Sequence, residues 1–153
     1  MLQLLLTPIY AFLFAASPAQ SIDANSKTCT GVFDQPTTGA NVRGSGMVTG
    51  RVTNPAGTYP WLLVRLQGLQ GAWPQGGGPV QVKPGEPFHV HVTYGAPGDS
   101  GPFEVFLVIV DPDVNTALKD WVTQTNRDHE YPPVPFPNVH DGCPVTTLVV
   151  NRQ

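Results

Sequence analysis

The 153-residue sequence has few charged residues and no excess of positive charge. Asp, Glu, Lys and Arg together make up 12% of the chain, roughly half the share found in an average globular protein. The formal net charge is −3, and the sequence contains no run of like charges. Composition therefore gives no reason to expect nucleic acid or an anionic membrane surface as a partner.

Cysteine is equally scarce, since only Cys29 and Cys143 occur. In an exported protein a lone pair of cysteines most simply forms a disulfide. On the chain-entropy model, closing a loop of this length stabilises the fold by about 4–5 kcal/mol. The alternative is two free, buried thiols in a cytosolic protein.

The sequence also lacks an apolar run long enough to span a bilayer. Residues 1–16 are mostly apolar, small residues follow up to Ser21, and the first charged residue is Asp23. This layout predicts a signal peptide over residues 1–21, although no Lys or Arg follows Met1. We therefore expect a secreted or periplasmic protein with no integral membrane span once the signal is removed. An uncleaved segment, or a buried N-terminal strand or helix, remains the alternative.

Glycine and proline are abundant, with 16 and 17 residues, and the apolar residues between them mostly follow a two-residue period. This pattern is typical of short strands joined by tight turns. Strands are predicted at 47–53, 60–67, 80–82, 87–94, 103–110 and 145–150. A polar segment over residues 22–45 precedes this domain and contains one further candidate, an edge strand at 30–33.

The centre of the predicted fold is a hairpin formed by residues 87–94 and 103–110. Its second strand is a nearly continuous apolar run, so both of its faces are expected to be covered. After it the period changes to that of an amphipathic helix, near residues 114–122, with Asp113 as its cap. This helix is expected to cover the second face of the central strand.

The stretch VKPGEPFHVHVTYG, the apolar strand after it, and Trp61 in an earlier strand resemble an immunoglobulin- or fibronectin-III-like module of an exported protein. The resemblance covers residues 46–151. It implies a mainly β fold, an antiparallel sandwich of about seven strands with one short helix. Cys29 and Cys143 do not bracket Trp61 as the cysteines of antibody domains do, and no functional residue is carried over.

Two motifs suggest chemistry but are incomplete. The segment Gly98–Pro102, GDSGP, resembles the nucleophile loop of chymotrypsin-like serine proteases, with Ser100 as the nucleophile. That mechanism needs a histidine base from far upstream and a longer scaffold, so a turn is the better interpretation. Asp111, Asp113 and Asn115 have the spacing that begins a calcium loop, but the later glycine and glutamate positions do not match. We predict no enzymatic activity and no cofactor.

His89 and His91 lie two residues apart on a predicted strand and therefore share one face. Such a pair can supply two imidazole ligands to zinc or copper, and His129 and His140 could complete the site. The simpler interpretation is a pair of solvated surface histidines.

Two further features suggest partners. Tyr59, Trp61 and Trp73 could form a platform for a sugar, although core packing of Trp61 and loop packing of Trp73 is the simpler interpretation. The proline-rich run 132–137 could dock on a partner protein. The sequence thus predicts a non-enzymatic exported module with a binding or structural role and an unidentified protein or glycan partner. The alternative is an exported metal-binding protein.

Overall fold

A computed structural model describes residues 28–83 and 85–153. The predicted signal peptide, residues 1–21, lies outside this range. The elements in chain order are β1 (Thr30–Gln35), β2 (Asn41–Val42), β3 (Ser45–Thr53), β4 (Tyr59–Leu66), β5 (Trp73–Pro74), β6 (Phe88–Thr93), β7 (Gly101–Val110), α1 (Pro112–Asp128) and β8 (Thr146–Arg152).

These strands form two sheets, which we call the first and the second sheet. The first has the order β1-β3-β6 and the second the order β2-β8-β7-β4-β5. The ladders are antiparallel except for the short parallel pairing of β2 with β8. The described chain is thus a mainly β, sandwich-like fold with one helix, as expected, and the candidate edge strand at 30–33 is present as β1. The two sheets begin upstream of residue 46.

The two sheets enclose the main core. In β3 the residues Val48, Gly50 and Val52 face inward, because alternate side chains of a strand share one face. The buried members of this core come from both sheets and the loops beside them: Val48, Val52, Leu62, Val64, Val80, Phe88, Val92, Tyr94, Phe103, Val105, Leu107, Ile109, Cys143, Leu148 and Val150.

A second core lies between the second sheet and α1. It comprises Trp61, Leu63, Ala72, Phe106, Val108, Val110 and Leu118. Val114 and Val122 of α1 pack against it, as the helical stripe predicts. The central strand β7 therefore contributes side chains to both cores. This confirms that both of its faces are covered and explains its nearly continuous apolar sequence.

The predicted hairpin is wrong, because β6 and β7 belong to different sheets. β6 pairs with β3, whereas β7 pairs with β4 and β8. The loop between them crosses from sheet to sheet, with Gly95 and Gly101 at φ values of 72° and 111°. Tyr94 and Phe103 meet across the core with ring centroids 6.1 Å apart. Alternation specifies which face is buried and not which strand is the partner, so both arrangements suit the same sequence.

Two smaller predictions also need correction. Residues 80–82 form no strand; Val80 is buried in the core from a loop and its N–H donates to Pro60 O over 2.7 Å. The helix is longer than 114–122, and its N-cap residue is Asp111 and not Asp113. Pro112 occupies the first turn, where the missing N–H costs no hydrogen bond.

The predicted disulfide is present and joins Cys29 to Cys143, which are 114 residues apart. It ties the start of β1, in the first sheet, to the segment before β8, in the second. Within residues 28–83 and 85–153, no helix has both the length and the apolar character needed to cross a membrane.

Candidate functional site

A cavity of about 700 Å³ opens along one side of the molecule. It lies beside β6, the edge strand of the first sheet, and β5, the edge strand of the second. The loop between β6 and β7 and the residues around the end of α1 complete its walls. Its volume falls within the range of small-molecule sites, roughly 300–1,000 Å³.

Most of the cavity wall is apolar. Its largest apolar side chains are Leu66, Leu69, Trp73, Phe103, Trp121 and Tyr131. They come from β4, the loop after it, β5, β7, α1 and the segment after α1. Residues far apart in the sequence thus form one continuous apolar surface, which can accept a ligand of similar character.

The proline-rich segment fixes the two tryptophans of this wall. Trp73 Nε1 donates to Tyr131 O over 2.8 Å, and Trp121 Nε1 donates to Pro132 O over 3.0 Å. Val134 forms two backbone hydrogen bonds of 2.9 Å with Ala72, which ties the segment to the edge of the second sheet. Because both indole N–H groups are satisfied internally, each ring presents an apolar surface to the cavity.

A few polar groups also line the cavity. Gln75 Oε1 accepts a hydrogen bond from Thr93 N over 2.9 Å, which links the edges of the two sheets. Asp99 Oδ2 accepts one from Ala96 N over 2.7 Å and so fixes the loop between β6 and β7. His91 also lines the cavity, and its imidazole forms no hydrogen bond or ion pair with the described residues. The site thus combines an apolar wall with a small set of polar groups.

Phe103 lines the cavity and contacts Tyr94, which is buried in the core behind it. Tyr94 packs edge-on against Phe103, and burial raises the pKa of its phenol. The Arg152 guanidinium donates to the carbonyl oxygens of Tyr94 and Ala96, so the positive charge of that group is directed to the backbone.

The structure separates the four histidines. His89 and His91 are exposed on the outer face of the first sheet. His129 ends α1 in the left-handed conformation, and His140 Nδ1 lies 2.5 Å from Asp111 Oδ1. His129 and His140 therefore do not complete a site with the other two. Among residues 28–83 and 85–153, no three His, Cys, Asp or Glu side chains are grouped so that they could hold a metal ion.

The remaining sequence motifs have structural roles. Asn115 Oδ1 accepts a buried hydrogen bond from Trp61 Nε1 over 3.0 Å, so the residues that resemble a calcium loop begin the helix instead. Ser100 is exposed, and its side chain makes no hydrogen bond within the described part of the chain. The buried His140 Nε2 likewise has no partner there. The structure does not link this Asp–His pair to Ser100.

The predicted aromatic platform is divided between two places. Trp61 is buried in the core beneath α1, and Tyr59 packs against the same core. Trp73 instead lines the cavity, together with Trp121 and Tyr131, which the sequence reasoning missed. The helical period of residues 114–122 places Trp121 on the apolar stripe that is expected to be buried, and Tyr131, whose ring it contacts, follows only after the helix ends. Trp121 and Tyr131 are ten residues apart, a spacing that corresponds to no recognisable sequence pattern.

No family model matches the chain, and no curated protein or solved structure matches it.

Proposed function

We propose that this protein is an exported, non-enzymatic β-sandwich module that binds a small, largely apolar ligand in the cavity beside β5 and β6. The observation that carries the proposal is the cavity of about 700 Å³, with its aromatic wall and few polar groups. Such concave, mainly apolar sites with sparse polar groups are typical of small-molecule binding. His91 and Asp99 are the groups that would orient a polar end of the ligand.

The strand order supports the assignment to the immunoglobulin-like sandwiches. If β1 and β2 are labelled A, and β3, β4 and β5 are labelled B, C and C′, then β6, β7 and β8 become E, F and G. The first sheet is then A-B-E and the second includes C′-C-F-G, as in the variable-type immunoglobulin sandwich. In this assignment α1 is an insertion between F and G.

The disulfide supports export. Disulfides persist in oxidising compartments and are rare in the cytosol. The Cys29–Cys143 bond therefore agrees with the signal peptide that residues 1–21 predict. Together they favour a secreted or periplasmic location.

The proposal is tested by titrating the protein with the neutral fluorophore phenylnaphthylamine. We expect saturable binding with enhanced dye emission and altered emission from Trp73 and Trp121. Truncating the exposed ring of Tyr131 to alanine should weaken binding at least about fivefold, since buried aromatic contacts dominate such sites. The variant Ala96→Trp should fill part of the cavity and have a similar effect.

The matched control is Val32→Ala, which removes an exposed apolar side chain from the outer face of the first sheet. It should leave the affinity unchanged. Equal affinity in all variants would overturn the proposal, as would tighter binding of a soluble oligosaccharide than of the dye. Ester hydrolysis that disappears in Ser100→Ala would contradict the non-enzymatic part.

A further inference from the structure

The uncovered face of the first sheet places a methionine beside the His-x-His pair. The register of β3 and β6 sets Met47 opposite His91 and Thr49 opposite His89. All of these side chains lie on the outer face, because the alternate residues Val48 and Val92 are buried in the core. Met47 is 52% exposed, an unusual position for a large apolar side chain.

The backbone hydrogen bonds show how closely these side chains approach. Tyr94 N donates to Gly44 O on the β3 side, whereas Thr93 N donates to Gln75 on the opposite side. Since N–H directions alternate along a strand, His91 and His89 also direct their N–H groups away from β3. Met47 and His91 are therefore a non-hydrogen-bonded cross-strand pair, the type with Cα atoms only about 4.5 Å apart and closer side chains.

His89 completes a compact triangle with these two residues. Residues i and i+2 of a strand are separated by roughly 6.6–6.8 Å, and diagonal cross-strand neighbours by about 7–8 Å. His and Met side chains are long enough for three donor atoms with this spacing to meet above the sheet. The described residues beside them on this face include Thr49 and the ion pair of Arg51 with Asp34, whose charged atoms are 3.6 Å apart.

We propose that Met47, His89 and His91 bind a monovalent copper ion. A thioether is a soft ligand that selects copper(I), and imidazole also binds copper well. Zinc and copper(II) also bind imidazole but gain little from a thioether, so the methionine is the ligand that favours copper(I) over both. All three donors are neutral when the histidines are unprotonated, which suits a singly charged ion.

The test uses copper(I) kept reduced under anaerobic conditions and competed against the chromogenic chelator bicinchoninate. We expect one ion per chain and a shift of the Met47 methyl resonance on binding. The variant Met47→Leu keeps the apolar volume but removes the sulfur, so copper(I) affinity should fall at least about tenfold. Any zinc affinity should change by less than about twofold in the same variant.

His91→Asn and His89→Asn should also weaken copper(I) binding, whereas His129→Asn, at the end of α1, should have no effect. Failure to bind copper(I), or equal affinity in Met47→Leu, would overturn the proposal. An equal loss in His129→Asn would overturn it too. His91 also lines the cavity, so the two sites are separated with Met47→Leu and His89→Asn, which change residues outside the cavity wall and should leave phenylnaphthylamine binding in metal-free protein unchanged. Loss of copper(I) binding with intact dye binding, or the reverse, then identifies which of the two proposals fails.

Discussion

The outer faces of the two sheets differ, although their inner faces form one common core. The outer face of the second sheet is covered by α1, which buries Trp61, Phe106 and Val108. The outer face of the first sheet is open, and Val32 and Met47 are 49% and 52% exposed there. The proposed copper site lies on this open face and the cavity lies beside it. The helix thus stabilises the face that it covers and also contributes Trp121 to the cavity wall, whereas the outer face of the first sheet is left open.

The difference between the two outer faces is already visible in the amino-acid sequence of the strands. β4 and β7 are almost continuously apolar because both of their faces are buried. In β3 and β6 buried and exposed residues alternate, because one face of each strand is exposed to solvent. Sequence patterns of this kind distinguish a covered sheet from an open one before any coordinates are known.

The largest expected effect on stability comes from removing the disulfide that links the two sheets. Replacing Cys29 and Cys143 together by serine removes a cross-link that closes a loop of 114 residues. The free energy of unfolding should fall by about 4–5 kcal/mol, measured by urea denaturation. The double variant avoids an unpaired thiol. A loss below about 1 kcal/mol would show that packing alone holds the sheets together.

The next largest effect on stability is expected on the covered face of the second sheet, beneath α1. Trp61→Ala empties a fully buried site beneath α1 and should cost about 3–5 kcal/mol. The milder Trp61→Phe deprives the buried Asn115 Oδ1 of its donor and should cost about 1–3 kcal/mol. Adding Asn115→Leu to Trp61→Phe should recover part of that loss. Denaturation curves identical to those of the unaltered protein would contradict the role given to α1.

A smaller effect is expected where the chain crosses between the sheets. Burial raises the pKa of Tyr94 above its usual value of about 10. The folded state therefore keeps its phenol proton at a pH where the unfolded chain has lost it. Stability is fully retained below pH ~10 and should decline as the pH rises further. Tyr94→Phe should remove this decline while keeping the ring contact with Phe103, and unchanged alkaline unfolding would contradict it.

The smallest effect should come from the open face. Val32→Ala and Met47→Leu alter exposed side chains and should each change the free energy of unfolding by less than about 0.5 kcal/mol. They serve as the matched controls for Trp61→Ala. A cost above about 1 kcal/mol for either variant would indicate that this face is covered in solution.

The sequence predicted which strand faces are buried better than it predicted which strands pair with each other. The double cover of β7 and the Cys29–Cys143 bond followed from local pattern and from cysteine count. The pairing of β6 did not, because Phe88 and Val92 face the same core whether their strand joins β3 or β7. The cavity was not predicted either, since Trp73 and Tyr131 meet only through the long-range path of the chain. The position of Met47 opposite His91 was not predicted for the same reason, because it depends on the register of β3 against β6.

The most direct test of this comparison is amide hydrogen exchange resolved by residue. In β7, shielded on both sides and paired with β4 and β8, the amides of Val105, Phe106 and Val108 should exchange only through global unfolding. In β6 the amides of Val90 and Val92 should be protected, while that of His91 should exchange much faster because it faces the open edge. Uniform protection along β6, or exchange of β7 amides without global unfolding, would contradict the account.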